Sequence, residues 1–302
     1  MSENDWRSTG WFIEAKGSRH LFARIGAIGG FSSEARIVWR GFSSIDYPLT
    51  SSLQRQRHYH DEAEMRRDEA ETLAAAREWG LGFRQYGWAS DLQLLADLQH
   101  YGTSTRLIDV SNNPMTALWF ACQRPSTKVS GREVSTDGLL LAINTVGWPH
   151  YGRGNPGSSY SALERPLSWE LEEALSENVP FVVESLLPND RMKAQEGLFL
   201  AAKIPPRRER VGPFHSFRIN YEQTASQLLE AQLTERPLST HPRPEALPFV
   251  ALKIPARMKQ RILERLANSY NRNASVLFPD FEGFKNFSGV AVPREDEGPV
   301  LL

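Results

Sequence analysis

Short apolar runs bounded by turn formers alternate along this chain with stretches of helical period, and the alternation predicts a mixed fold. Residues 35–40, closed by Gly41, and residues 139–144, 181–184, 198–202 and 249–254 carry the β-branched and apolar side chains of strands. Between Ser90 and His100, Leu92, Leu95 and Leu98 stand three apart, which predicts a helix with one buried face and Ser90 as its cap. A second helix is expected after Asn113, a suitable cap, with Pro114 in its first turn and Met115, Leu118, Trp119 and Cys122 turned inward. A third follows Pro255, where Met258, Ile262, Leu266 and Tyr270 recur at every fourth position. Residues 55–79 are dense in Glu, Arg and Ala and stop before Gly80 and Gly82, as one long charged helix would.

Together these elements predict an α+β domain with a mixed, largely antiparallel sheet of about five or six strands flanked by helices. The first thirty residues mix Trp6, Trp11, Phe12 and Phe22 with charges and show no sustained period. Residues 1–30 are therefore expected as a lead-in docked on a body spanning 31–290, with a flexible polar tail at 291–302. Residues 147–156 read as a loop, and the basic knot of Arg207, Arg208 and Arg210 as an exposed connection.

Composition narrows the function. The chain has 302 residues, with 35 Lys plus Arg against 36 Asp plus Glu, so no net field draws it to nucleic acid or anionic lipid. No apolar run approaches the roughly 20 residues that cross a bilayer, and the polar, acidic start lacks an export signal. The expectation is a cytoplasmic protein without a membrane partner. Cys122 stands alone, so no internal disulfide forms. Gly-x-Gly-x-x-Gly, phosphate-loop and Gly-x-Ser-x-Gly patterns are missing. His58, His60 and Asp61 have no further histidine nearby in sequence, and no metal is expected.

Polar chemistry concentrates between the helices at 90–100 and 114–122, where His100, Tyr101, Thr103, Thr105, Arg106 and Asp109 follow one another. These residues suit local pairing, turn closure and capping, and they equally suit a binding site. The segment His100-Tyr101-Gly102, then Thr105-Arg106-Leu107, Asp109, Asn113-Pro114, Ala117-Leu118 and Phe120-Ala121 resembles the central motif of the FRG domain family. Trp39-Arg40-Gly41 resembles its aromatic-Arg-Gly motif, Gln195 to Phe199 its Gln-x-Gly-x-Phe segment, and residues 275–283 its closing Phe-Pro-Asp-x-x-Gly motif. The resemblance runs from about Ile37 to Phe287, with Trp39, Ser104 and Val110 departing from the usual residues. It implies a part in bacterial defence or toxin systems, without naming a reaction.

A second likeness lies in layout. The order of Arg40, the Thr103 to Thr105 cluster and Glu282 is similar to that of ADP-ribosyltransferases. That similarity implies an NAD-consuming ADP-ribosyltransferase or NAD glycohydrolase, with NAD as substrate and a protein or nucleic acid as acceptor. Glu282, Arg40 and His100 are then the candidate catalytic residues. Arg106, Thr103, Thr105, Asp109, Tyr101, Trp119 and Gln195 are the candidate binding residues. A carboxylate near the ribose would stabilise the positive charge that builds there, arginines would hold the phosphates, and Tyr101 or Trp119 would face a ring. Two alternatives share these residues: a non-catalytic domain that senses a nucleotide or a phage component, and a nuclease using Asp109, Asp280 and Glu282 on a divalent metal.

Overall fold

The computed structural model describes residues 5–85, 87–124, 128–129, 132–133, 136–152, 166–210, 212–222, 229–230, 232–233 and 246–289. The expected tail at 291–302 lies outside the described residues. In chain order, a 3-10 turn at Trp6–Thr9 precedes strand β1 (Phe12–Glu14), helix α1 (Ser18–Gly29) and β2 (Ile37–Phe42). Helices α2 (Ser52–Gln56) and α3 (Glu62–Glu78) follow, then the hairpin β3 (Phe83–Arg84) and β4 (Gly87–Trp88). Next come α4 (Asp91–His100), β5 (Ile108–Ser111), α5 (Pro114–Ala121) and the hairpin β6 (Lys128–Val129) and β7 (Arg132–Glu133). Strand β8 (Gly138–Asn144), β9 (His150–Tyr151), α6 (Trp169–Ser176), β10 (Phe181–Val183), α7 (Asp190–Gln195) and β11 (Gly197–Ala201) continue the chain. It closes with β12 (Phe249–Ile254), α8 (Lys259–Tyr270), α9 (Ala274–Leu277) and α10 (Phe281–Phe287).

Eight strands form one mixed sheet in the order β1-β12-β8-β2-β5-β11-β10-β9. The pairs β1 with β12 and β10 with β9 are parallel, and the other neighbours are antiparallel. The α+β class is as expected, and the five strands read from apolar runs are all present. The sheet exceeds the expected five or six strands because β1, β5 and β9 are short and find partners far away in sequence, as Phe12 does with Ala251. Residues 1–30 thereby contribute a sheet strand and a helix, and Trp6, Trp11, Leu21 and Ile28 are buried in the main core. The expected single helix at 55–79 divides into α2 and α3. Its break is set by Asp61, whose carboxylate accepts from Glu64 N, while Glu64 reaches back to His60 N.

The sheet separates two apolar clusters. Along β11, Leu198 and Leu200 join the cluster shared with α5 and α8, whereas Phe199 and Ala201 join the one built from α3, α4 and α6. Helix α5 is capped by Asn113, whose side chain accepts from Met115 N. It lies directly on the backbone of β2 and β8: a Cβ on Gly41 would overlap the Ala117 carbonyl oxygen and Ala121 N, and one on Gly138 would overlap the Ala121 carbonyl oxygen. The third member of the aromatic-Arg-Gly motif is thus a packing requirement.

Arg106 ties α3 to the chain entering β5. It is 2 % exposed, donates through Nε to Glu69 and through Nη2 to Glu69 and Glu62, and gives Nη1 to the Ala202 carbonyl. Burial by itself would lower its pKa, but Glu69 and Glu62 outweigh that and raise it.

Two stability outcomes are expected, each measured by denaturant unfolding. Gly41→Ala should cost about 3 kcal/mol or more, because neither α5 nor β2 has room for the methyl. Arg106→Met should cost about 3 kcal/mol or more by stranding Glu69, and the pair Arg106→Met with Glu69→Leu should recover much of the loss.

Candidate functional site

The sheet opens between β2 and β5. These strands are in register at one pair, Trp39 with Ser111, although β2 pairs with β8 from Ile37 to Phe42 and β5 pairs with β11 from Ile108 to Ser111. Continued register would set Arg40 against Val110 and Gly41 against Asp109, and neither pair forms. Parted strands leave ladder groups to be satisfied. The Arg40 side chain meets one of them, Nη1 donating to the Asp109 main-chain carbonyl. A cavity of about 360 Å3 lies at this opening, within the size range of small-ligand sites. Trp39, Phe120, Phe199 and Phe278 line it as apolar walls, with Arg40, Asp109, His100, Arg191 and Gln195 among them as polar groups.

Arg40 is held at a cost. Its Nε is buried with no hydrogen-bond partner, its Nη1 lies 3.8 Å from Asp109 Oδ2, and its guanidinium sits 5.2 Å from the centroid of the Phe42 ring. Burial pushes its pKa down, Asp109 opposes the shift and Arg55 adds to it. Thr116 Oγ1, also at the cavity, is buried and unpaired. Two such atoms share this cavity, which makes it the candidate site.

The carboxylate of Asp109 stands at the cavity 63 % exposed. Its Oδ2 accepts from Gln99 Nε2 at 3.0 Å. On the other side, Arg191 donates Nε and Nη2 to the two oxygens of Asp280, each at 2.7 Å, and Nη2 also to Glu282 at 3.0 Å. This pairing raises the Arg191 pKa and holds the Asp280 carboxyl below its ordinary value. Asp280 also caps α10, accepting from Gly283 N. Gln195 fastens the same wall, donating to the Leu277 carbonyl at 3.0 Å.

The sequence-derived candidates therefore divide. Arg40, His100, Asp109 and Gln195 share the cavity lining. Glu282 is outside that lining and meets it through Arg191. Arg106, expected to hold a phosphate, is enclosed by Glu69 and Glu62 and does not line the cavity. Thr105 is buried behind Gln99, to which its hydroxyl donates. Thr103 does not line the cavity, and Tyr101 is 82 % exposed beside His100. Trp119 stands behind the wall, packing on Phe120 and Phe278. Gln99 and Arg191 were missed. Gln99 falls within a leucine-spaced helix, and Arg191 follows an ordinary Asn189 cap, so neither carries a local signal.

Among the described residues, no group of three or more His, Cys, Asp or Glu side chains is placed to hold a metal ion. Asp280 and Glu282, two of the carboxylates considered for a nuclease, are instead engaged by Arg191. No helix is long and apolar enough to cross a membrane among the residues described.

His100 reports on this charge arrangement. Burial and Arg191 push its pKa below the ordinary 6.5, while Asp280, Asp97 and Glu282 pull it up. Its imidazole is expected to titrate below 6.5 by NMR. In Arg191→Met the midpoint should rise, since a repelling cation is gone and two carboxylates lose their partner.

No curated protein and no solved structure matches this chain. The FRG domain family matches residues 35–130, which hold β2, the parted strand β5, α5 and most of the candidate site residues. The aromatic-Arg-Gly motif and the His-Tyr-Gly to Phe-Ala motif both fall inside that span, so over residues 35–130 the chain matches the FRG domain.

Proposed function

We propose that the cavity between β2 and β5 binds a small molecule that joins a flat ring to an anionic group, a ligand of the nucleotide class. The observation that carries this reading is Arg40, a partly exposed guanidinium that lines an open cavity with aromatic walls and whose Nε has no hydrogen-bond partner. An anionic group at the exposed side of the guanidinium would add a charge-assisted partner to Asp109. Trp39, Phe120, Phe199 and Phe278 offer apolar surface to a ring. Arg191 is committed to Asp280 and Glu282, so Arg40 is the cation that meets the ligand. The family resemblance supplies a setting in bacterial defence or toxin action.

Consumption of NAD is a second reading, supported by the position of Asp109. Breaking the bond between ribose and nicotinamide builds positive charge on the sugar, and an ionised carboxylate at the cavity stabilises it. Glu282, the carboxylate chosen from residue order, is replaced in that role by Asp109, which lines the cavity and is anchored by Gln99. Free nicotinamide would leave, and water or an acceptor nucleophile would take the ribosyl carbon.

Calorimetry with AMP and with NAD should show binding that weakens about tenfold or more in Arg40→Met, the loss of one charge-assisted contact. Absence of binding by the wild type contradicts the nucleotide reading. Under the NAD reading, nicotinamide release should stop in Asp109→Asn and persist in Glu282→Gln. Binding without release leaves the cavity as a sensor.

A further inference from the structure

The amide of Gln99 has only one orientation that its neighbours permit. Its Oε1 accepts from the Thr105 hydroxyl at 2.9 Å and from the Ser52 hydroxyl at 3.3 Å. The Thr105 Oγ1 in turn accepts from Leu107 N at 3.0 Å. The Ser52 hydroxyl accepts from Thr105 N at 3.1 Å and has the Thr105 carbonyl at 3.2 Å as a second acceptor for its proton. The Asp109 carboxylate only accepts, so the end of the Gln99 amide that meets it at 3.0 Å is the NH2, and Oε1 faces the two hydroxyls. Thr105 is fully buried, so this chain of bonds runs from the interior to the cavity and ends on Asp109 Oδ2.

Asp109 Oδ1 has no hydrogen-bond partner among the described residues, and the side chain is largely exposed where it lines the cavity. A carboxylate fixed at one oxygen and open at the other accepts hydrogen bonds from hydroxyl groups at little further entropic cost. Asp109 sits across the strand opening from Arg40, so an anion and a hydroxyl of one ligand would be met by neighbouring side chains.

We propose that Gln99, through Asp109, selects ligands bearing sugar hydroxyl groups, with Gln99 as the positioning residue and Asp109 as the acceptor. This rests on the nucleotide reading of the cavity and adds the part of the nucleotide that is recognised. Bases and phosphates alone leave Asp109 Oδ1 without a donor. A ribose presents adjacent hydroxyls that satisfy it, and a nucleotide stripped of both supplies no donor to Oδ1.

The test compares AMP with 2′,3′-dideoxy-AMP by calorimetry on the full chain. Wild type should prefer AMP by about tenfold, the worth of a hydrogen bond to a charged group. Gln99→Met and Thr105→Val should each reduce that preference to about twofold or less, with binding of the dideoxy compound nearly unchanged. Asp109→Ala should abolish the preference. Thr105→Val never touches the cavity and preserves side-chain shape, so it serves if Gln99→Met fails to fold. Equal binding of the two nucleotides by wild type overturns the hydroxyl-reading proposal while leaving the nucleotide reading intact. Retention of the full preference by both Gln99→Met and Thr105→Val overturns the role of Gln99. Failure of both nucleotides to bind overturns the nucleotide reading and this proposal with it.

Discussion

Helix α5 rests on bare backbone, and that contact governs the geometry of everything around it. Because Gly41 and Gly138 lack side chains, the helix settles against β2 and β8 without an intervening layer. The chain leaves β5 at Ser111, turns at Asn113 and crosses over β2 as α5. Strands β5 and β8 both run antiparallel to β2, so α5 is the crossover that joins two parallel neighbours around it. The single Trp39 to Ser111 pair is what remains of the β2–β5 ladder. A cavity lies where a continuous sheet would have been solid, with α5 and the residues around Phe278 as further walls.

Opening a sheet exposes polar groups, and the way they are satisfied gives the site its chemistry. Arg40 bridges to the Asp109 carbonyl, yet its Nε stays buried without a partner. Arg106 makes the contrast clear. It is fully buried, but two carboxylates and a carbonyl take up its donors, and the ion cluster fastens α3 to the sheet. Both arginines come from conspicuous motifs, and their partners alone separate the cation enclosed by carboxylates from the one that lines the cavity. The wall carrying Phe278 is fastened by packing on Trp119 and Phe120 and by polar contacts: Arg191 with Asp280 and Glu282, Gln195 with Leu277, and Arg272 with Glu196.

Much of the fold could be read from local patterns. The Leu92, Leu95 and Leu98 spacing gave α4 with Ser90 as its cap, and Asn113-Pro114 gave the start of α5. Strand β5 escaped because its four residues alternate Ile108 and Val110 with Asp109 and Ser111, too short a period to separate from the polar segment around it. Strand β1 escaped because its partner lies near the other end of the chain. The site was legible as a set of motifs, but proximity was not. Residue order brought Glu282 forward as a catalyst, whereas its geometry makes it a partner of Arg191. Arg106 drew attention for its place between polar neighbours, but its ion partners come from a distant helix. Gln99 and Arg191 act through side-chain orientation, which no spacing rule encodes.

The claim on which this account depends is that the gap between β2 and β5 is a ligand site centred on Arg40. The most direct measurement is backbone amide NMR of 15N-labelled protein during titration with AMP. The account predicts progressive shifts concentrated at Arg40, Gly41, Asp109, Val110 and Gly197, with the residues of β12 and α8 undisturbed. Shifts confined to surfaces away from the β2–β5 opening, or none at saturating AMP, would contradict it.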